Sequence, residues 1–345
     1  MTEENLNFFL DILRIDSTSQ KEMALSSFIK SSAAFSRAQT EVQPVGDGTE
    51  NLFFKWGMPR IIFCTHLDTV PPYIAPSISL SGDKSKGTEE VIVKGRGSCD
   101  AKGQILTQYI VARQLEDEGY NDFGILWVSG EETGSLGARK ANSMIKGADF
   151  VIVGEPTDNR LISAAKGTAL YNVKIGGKGA HSGYPEEGDD ALKRFVNFYH
   201  DLSATDLPSD PILGETTWNI GRLTSSNPFN VIPSEILFSL YVRTTFATHP
   251  LIDSITERFA NDKIEITPVS KSNPMRFHTE EGFPTGVVAY GSDAPLLSNA
   301  ASVMLYGPGS ILKAHTDYES ITINEIDMAV KDLKNIFLKL KDRLA

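Results

Sequence analysis

The stretch IIFCTHLD, residues 61–68, joins a short apolar run to two polar residues that follow it directly. The apolar run is typical of a strand buried in a sheet. His66 and Asp68 are two residues apart, so they can share one side of an extended chain. Open α/β sheets bind ligands at the carboxyl ends of their strands. The stretch predicts a sheet with a site at its edge, although H-x-D alone also fits a helix cap or a solvated turn.

Outward from this strand, short apolar segments alternate with helical patterns through the first part of the chain. The apolar segments predict strands at 51–55, 61–65, 91–94, 124–129 and 150–153. The helical patterns predict helices at 4–15, 102–118 and 136–145. Strands separated by helices of this length favour right-handed crossovers and a largely parallel sheet. We therefore predict an α/β fold, with helices on both faces of a mostly parallel sheet.

The pattern changes near residue 161. Strands predicted at 169–175, 217–223 and 235–243, with helices at 190–202 and 251–259, are typical of a compact α+β module. A helix at 293–300, a strand at 302–306 and a helix at 325–344 then complete the first domain. The predicted organisation is one domain of residues 1–163 and 275–345, interrupted by a smaller domain of residues 164–274.

Composition excludes several classes of function. The 345 residues carry a formal net charge of −11 without a basic cluster, which argues against a nucleic-acid partner. No stretch approaches the ~18 apolar residues that cross a bilayer, so no membrane segment is expected. The N-terminus has acids where a secretory signal has basic residues, which predicts a cytoplasmic protein. Cys64 and Cys99 predict no disulfide framework; each is either a buried apolar residue or a zinc thiolate.

Four further motifs place acids or a histidine after predicted strands, or in loops that could reach the ends of those strands. GRGSCDAKG contains Asp100, SGEETG contains Glu131 and Glu132, VGEP contains Glu155, and AHTD contains His315. Each alone also has a structural explanation, and Asp100 in particular fits a helix cap. Together with His66 they form a set of nitrogen and oxygen ligands without cysteine. Such a set suits zinc, manganese or cobalt, and imidazole favours zinc.

The motifs CTHLDTVPP, GRGSCDAKG, SGEETGS, VGEP and GPGS with AHTDYES occur in this order over nearly the whole chain. This series resembles the co-catalytic di-zinc aminoacylase and carboxypeptidase family. The resemblance implies two zinc ions, for which Co²⁺ or Mn²⁺ can substitute, and five ligands. His66 and Glu155 would hold one ion, Glu132 and His315 the other, and Asp100 would bridge them. It also implies that Glu131 is the general base and acid and that Asp68 orients His66.

The inserted domain resembles the lid and dimerisation domain of that family. The motif KIGGKGAHSG contains His181, which the resemblance implies stabilises the developing oxyanion, often across a dimer interface. Asn230 and Arg243 lie in segments similar to those that bind polar groups and the carboxylate of the substrate. The segment GSDA at 291–294 resembles a further active-site loop, and Asp293 receives no assigned role. A homodimer through the lid domain is an expectation of the same resemblance.

The resemblance leaves three functions open. Glutamate at position 155 favours cleavage of N-acyl amino acids in amino-acid biosynthesis, as by an acetylornithine deacetylase or a succinyl-diaminopimelate desuccinylase. The alternative is a metallo-carboxypeptidase or dipeptidase that acts on short peptides. The third is a binding protein that keeps the fold without activity. Such a protein should have lost a ligand or the base, and this sequence retains His66, Glu131 and His315.

Overall fold

A computed structural model describes residues 1–32, 35, 37–82 and 90–344 of the chain. Its α-helices are α1 (Glu3–Arg14), α2 (Met23–Ser32), α3 (Lys102–Asp117), α4 (Leu136–Ala141), α5 (Ala191–Ser203), α6 (Ile252–Glu257) and α7 (Ile323–Leu344). Its strands are β1 (Gln39–Gly46), β2 (Thr49–Gly57), β3 (Ile61–His66), β4 (Ser77–Ser81), β5 (Glu90–Lys94), β6 (Asp122–Val128), β7 (Phe150–Val153), β8 (Leu161–Ala165), β9 (Gly167–Gly176), β10 (Thr217–Thr224), β11 (Glu235–Thr244), β12 (Ile264–Ser272), β13 (Met275–Arg276), β14 (Thr285–Val288), β15 (Ser302–Leu305) and β16 (Ser320–Thr322).

The chain divides into two units. The first consists of Met1–Ser163, Phe277–Gly286 and Ser292–Ala345, and the second of Ala164–Arg276 and Val287–Gly291. The stretch Val287–Gly291 was not expected in the smaller unit, because residues 275–345 were all predicted to belong to the larger domain.

A six-stranded sheet forms the centre of the first unit, in the order β1-β2-β6-β3-β7-β15. β6, β3, β7 and β15 run parallel to one another, whereas β1 and β2 form an antiparallel edge. Every residue of β3 is buried, as is expected for a strand covered on both faces. The structure therefore confirms the predicted α/β architecture with a mostly parallel sheet.

Helices α1, α3 and α7 pack together beside this sheet. α3 is buried over almost its whole length because it lies against both α1 and α7. α7 instead buries a single apolar stripe, which includes Ile326, Leu333 and Phe337. The resulting core joins helix and sheet residues such as Phe9 and Trp127. Helix α4 packs against β1, β2 and β6.

Two predicted helices differ from the structure. The helix expected at 293–300 is wrong: only a 3-10 turn, Ala294–Leu296, forms there. The backbone N–H of Asn299 donates to the side chain of Asn142 at 2.8 Å, which takes it out of a helical hydrogen bond. The helix expected at 136–145 ends at Ala141, because turns follow from there to residue 147.

The second unit contains a four-stranded antiparallel sheet in the order β10-β11-β9-β12. β10 and β11, at the strands predicted for 217–223 and 235–243, pair antiparallel with each other. Along β9 the buried residues Ala169, Tyr171 and Val173 alternate with more exposed ones, so one face of the sheet carries the core. α5 contacts β9 and β11, and Phe198 of α5 belongs to this core. The edge strand β12 was missed because its side chains are largely exposed.

The part of the chain that the structure describes contains no helix long and apolar enough to cross a membrane.

Candidate metal centre

The end of β3 positions His66, which is almost completely buried. Its Nδ1 lies 2.9 Å from the backbone oxygen of Asp68 and 3.5 Å from the carboxylate of that residue. Because a carbonyl oxygen only accepts hydrogen bonds, Nδ1 carries a proton. Nε2 is then directed at Oδ1 of Asp100, at 2.9 Å. Burial lowers the pKa of His66, but hydrogen bonds to Asp100 and Asp68 outweigh it and raise the pKa.

Asp68 also holds the loop that follows β6. Its two carboxylate oxygens accept hydrogen bonds from the backbone N–H groups of Glu131, at 3.0 Å, and Glu132, at 3.1 Å. The hydroxyl of Ser19 donates to the same carboxylate at 2.9 Å. Burial raises the pKa of Asp68, but these bonds and His66 lower it below its usual value. The carboxylate therefore fixes the backbone beneath both glutamates.

Asp100 does not cap a helix. α3 has Ala101 at its N-cap and no side-chain hydrogen bond there. Instead, Oδ1 of Asp100 lies 2.9 Å from Nε2 of His66, and Oδ2 lies 3.2 Å from Nε2 of His315. Burial raises the pKa of Asp100, whereas the two histidines lower it strongly. One buried carboxylate is thus shared between two imidazoles.

His315 lies in the loop between β15 and β16 and has a positive φ of 63°. Its Nε2 is 3.0 Å from Oε1 of Glu132 as well as 3.2 Å from Asp100. Hydrogen bonds to Asp100 and Glu132 raise the pKa of His315 to about 10. Ligand atoms of His66, Asp100 and Glu132 lie within 4.8 Å of one another, close enough to hold one metal ion.

Three further carboxyls lie against this group: Glu155 and Asp293 are buried, and Glu131 is half-buried. Burial raises the pKa of Glu131 well above its usual value, and the charge of Asp293 adds to the rise. Burial also raises the pKa of Glu155, which follows β7, with a further contribution from Asp100. Burial raises the pKa of Asp293 to about 6, and neither of its oxygens makes a hydrogen bond of good geometry among the described residues. Ser135 is close enough to oppose that rise.

These residues fit divalent metal ions. Nε2 of His66 and Nε2 of His315 both face carboxylate oxygens, so each needs either a proton or a cation between the two acceptors. The buried carboxyls around them repel one another, and cations would relieve that repulsion. Imidazole nitrogens and carboxylate oxygens form a donor set that suits zinc.

The two cysteines behave as buried apolar residues. Cys64 lies in β3, and Cys99 donates a weak hydrogen bond from Sγ to the backbone oxygen of Ser310 at 3.4 Å. Burial raises the pKa of both thiols well above their usual value. In the described part of the chain, the group of residues close enough to hold a metal ion is His66, Asp100 and Glu132, with no cysteine among them, so the thiolate alternative is not favoured.

Within the second unit, His181 and Asn230 lie side by side. His181 pairs with Val231, and the backbone N–H of Ser182 donates to the backbone oxygen of Asn230 at 2.9 Å. Nδ1 of His181 accepts the backbone N–H of Gly183 at 3.1 Å. In the neutral ring the proton is therefore on Nε2, which is available as a donor.

Arg243 lies away from these two residues. It is next to the last residue of β11, and its guanidinium stacks on the ring of Tyr241 at 4.8 Å. His181 and Asn230 lie beyond the opposite end of the strand, which begins at Glu235. At ~3.3 Å per residue, β11 separates the two ends by about 25 Å. Within this unit the structure brings His181 together with Asn230 and not with Arg243.

Sequence reasoning missed four residues that support the centre. Ser19 donates to Asp68, and the buried carboxyl of Glu22 accepts the backbone N–H of Gly130. Burial raises the pKa of Glu22 to about 7.

Arg96 and Glu319 form an ion pair of 2.7 Å behind Asp100. Arg96 precedes Asp100 by four residues and Glu319 follows His315 by four, and this matched placement was the available signal.

Comparisons with known proteins agree on a family. The family described as Peptidase family M20/M25/M40 matches residues 62–339. A probable carboxypeptidase of Aspergillus clavatus is 31% identical over 370 residues, which cover 98% of this chain and 89% of that protein. The solved tripeptidase of Staphylococcus aureus has a TM-score of 0.79 at 21% identity, over 96% of each chain. The M20 family metallo-carboxypeptidase of Sulfolobus solfataricus has a TM-score of 0.68 at 15% identity, over 96% of this chain and 97% of that one.

Proposed function

We propose that this chain, which belongs to peptidase family M20/M25/M40, is a two-zinc exopeptidase that removes a C-terminal residue from short peptides. The observation that carries the proposal is the sharing of Asp100 between His66 and His315. A carboxylate that serves two imidazoles is the arrangement expected of a bridging ligand in a two-metal site. The name of the relative from Aspergillus clavatus, a probable carboxypeptidase, supports the substrate class.

Cleavage of N-acyl amino acids, which Glu155 favoured at the level of sequence, is less well supported. Glu155 is buried beside Asp100, so its contacts concern the metal ligands. A peptide and an N-acyl amino acid present the same amide carbonyl to the attacking water. A ligand at this position therefore discriminates poorly between them, and the relatives favour the peptide.

His66 and Glu155 would hold one zinc ion, Glu132 and His315 the other, and Asp100 would bridge the two. When bound, the ions would polarise the scissile carbonyl and lower the pKa of water from ~15.7 towards ~7. Nδ1 of His66 donates a hydrogen bond to the backbone oxygen of Asp68, and this leaves Nε2 available for zinc. The backbone oxygen of Asp68 would thus orient His66, and the carboxylate of Asp68 would hold the loop that carries Glu131.

Glu131 would take a proton from the attacking water and deliver it to the leaving amine. Its half-buried carboxyl lies next to other acids, which raises its basicity, and its backbone N–H donates to Asp68. His181 would donate its Nε2 proton to the developing oxyanion, and Asn230 would bind a polar group of the substrate.

Arg243 would bind the free carboxylate of the peptide through a forked, charge-assisted contact. Within the second unit it lies near one end of β11, about 25 Å along the strand from the other end, and His181 and Asn230 lie beyond that other end, so one small substrate cannot reach both. This separation supports a homodimer in which one protomer supplies His181 and Asn230 to a site that contains the Arg243 of the other.

An apolar surface on the second unit offers an interface for such a dimer. α5 and the edge strand β10 expose Val196 at 57%, Tyr199 at 49% and Leu223 at 48%. Val196→Asp would place a charge in this interface and should convert the dimer into a monomer. Because the site would lose His181 of the partner, kcat should fall about 10²–10³-fold, the usual effect of an oxyanion donor. Light scattering coupled to gel filtration measures the first effect and peptide hydrolysis the second.

Val269→Asp is the matched control for this surface. Val269 is 51% exposed on β12, the opposite edge of the same sheet, so the charge should leave mass and rate unchanged. The dimer proposal is excluded by a wild-type protein that is fully active as a monomer.

Assays of the zinc-loaded protein on a substrate panel test the proposed reaction. The panel contains dipeptides and tripeptides, the same peptides amidated at the C-terminus, and N-acetyl and N-succinyl amino acids. We expect chelator-sensitive release of the C-terminal residue from free peptides. Amidation removes the carboxylate that Arg243 would bind and should reduce kcat/KM at least about 10²-fold, because the charge-assisted contact to the guanidinium is lost. Faster hydrolysis of an N-acyl amino acid would restore the deacylase alternative.

A further inference from the structure

A buried ion pair lies behind the candidate metal ligands. Nη1 of Arg96 donates to Oε2 of Glu319 at 2.7 Å, and both side chains are at most 1% exposed. Arg96 comes from the segment between β5 and α3, and Glu319 from the loop that leads into β16. The two residues therefore join separate parts of the chain, each of which carries a candidate ligand.

Glu319 is bonded to the backbone of Asp100. Its second oxygen, Oε1, accepts hydrogen bonds from the backbone N–H groups of Cys99 and Asp100, both at 3.1 Å. Two N–H donors on one carboxylate oxygen fix the backbone on both sides of the Cys99–Asp100 peptide. The direction in which the Asp100 side chain leaves the backbone is thereby fixed as well.

Arg96 is bonded to the backbone beside His315. Nη1 also donates to the backbone oxygen of Thr316 at 3.2 Å, and Nε donates to the backbone oxygen of Pro72 at 3.2 Å. His315 itself is half exposed, at 48%, and lies on a loop with left-handed backbone at that residue. The buried guanidinium therefore holds the backbone of Thr316, the residue that directly follows His315.

We propose that Arg96 and Glu319 are positioning residues that set the separation between Asp100 and His315, and with it the affinity for the zinc ion held by Asp100, Glu132 and His315. The inference rests on the proposed function, because it assumes two ions with separate ligands. Glu319 bonds the backbone of one ligand, Arg96 that of the other, and the 2.7 Å ion pair joins the two. The distance of 3.2 Å between Oδ2 of Asp100 and Nε2 of His315 is the result.

The variant Glu319→Gln tests the link between Glu319 and Arg96 without removing the whole side chain of residue 319. Glutamine keeps an amide oxygen that can accept the N–H groups of Cys99 and Asp100. Its NH₂ group, however, is a donor and would face the donors of Arg96. The backbone of Asp100 stays held, while its connection to the His315 loop is broken. Arg96→Lys breaks the same connection from the other side, because an ammonium keeps the charge but lacks the planar fork of donors.

Glu280→Gln is the matched control. Glu280 is also a buried glutamate with an arginine partner, since its Oε2 accepts from Arg343 at 2.9 Å. Its other oxygen contacts His278 at 2.6 Å, and neither partner belongs to the candidate ligands. This variant measures what the loss of a buried charge does to stability without a change at Asp100 or His315.

The experiment titrates chelator-stripped protein with zinc against a competing chelating indicator, and repeats the titration with cobalt while recording the visible absorption bands. For Glu319→Gln we expect one of the two ions to bind about 10–100-fold more weakly, as is typical when an outer hydrogen bond to a ligand is lost. The cobalt bands of that ion should shift, because they report ligand geometry. Arg96→Lys should show the same ion weakened to a smaller degree, and Glu280→Gln should bind both ions as the wild type does.

Two results would overturn the proposal: wild-type affinities and cobalt bands in the folded variants, or equal weakening of both ions. Thermal melts of the stripped proteins establish that each variant is folded. Failure of the proposed function gives a different result. A wild-type protein that binds two ions but hydrolyses no peptide would refute the reaction and leave the positioning pair intact.

Discussion

Asp100→Asn should remove both zinc ions and reduce kcat/KM at least about 10³-fold, because several kcal/mol of transition-state stabilisation by the metals would be lost. An asparagine side chain has one neutral oxygen and an NH₂ group, so it cannot offer an anionic oxygen to both sides. In the wild type the two oxygens of Asp100 lie 2.9 Å from His66 and 3.2 Å from His315. Atomic absorption after dialysis measures the zinc content, and therefore the loss of the two ions, directly.

Thermal unfolding provides a second measurement for Asp100→Asn that is independent of turnover. Zinc at about 1,000 times its Kd should stabilise the wild type by about 4 kcal/mol, and this gain should vanish in the variant. Asp332→Asn is a suitable control, because Asp332 accepts a hydrogen bond from Tyr306 at 2.8 Å and has no bond to a candidate ligand among the described residues. A variant of Asp100 that keeps two ions and a near-normal rate would disprove the bridging role.

Glu131→Gln should lower kcat by about 10²–10⁴-fold, the usual contribution of a general base and acid, while both zinc ions stay bound. Glutamine has nearly the same shape as glutamate but cannot take the proton of the attacking water. The backbone N–H of residue 131 would still donate to Asp68, so the loop should keep its conformation. KM should change little, because the carboxylate acts mainly on the transition state.

Glu132→Gln is the comparison that separates the two adjacent glutamates. Glu132 contacts His315 at 3.0 Å, so its replacement should lower metal affinity, and excess zinc should restore part of the rate. Excess zinc should restore nothing in Glu131→Gln. Loss of zinc from the Glu131 variant, or a rate close to that of the wild type, would show that Glu131 is not the base.

Local patterns predicted most of the elements that position the site. The helix expected at 102–118 is Lys102–Asp117, and the strand expected at 150–153 is Phe150–Val153. Both succeed because buried apolar runs and their polar flanks are local properties of the chain. β12 was missed because an exposed edge strand has little apolar alternation. The helix at 293–300 was wrong because its N–H group at Asn299 bonds to Asn142, far away in the sequence.

Local sequence patterns were enough to predict the α/β architecture and the side chains that follow the strand ends, among them His66, Glu132 and Glu155. The contacts of those side chains became known only from the folded chain. Asp100, a plausible helix cap in the sequence, is a carboxylate shared by two histidines in the structure. Glu319 accepts a hydrogen bond from the backbone of Asp100, which is 219 residues away in the chain. The physical reason is that helix and strand formation depends on neighbouring residues, whereas a metal site depends on hydrogen bonds between segments that only folding brings within about 3 Å of each other.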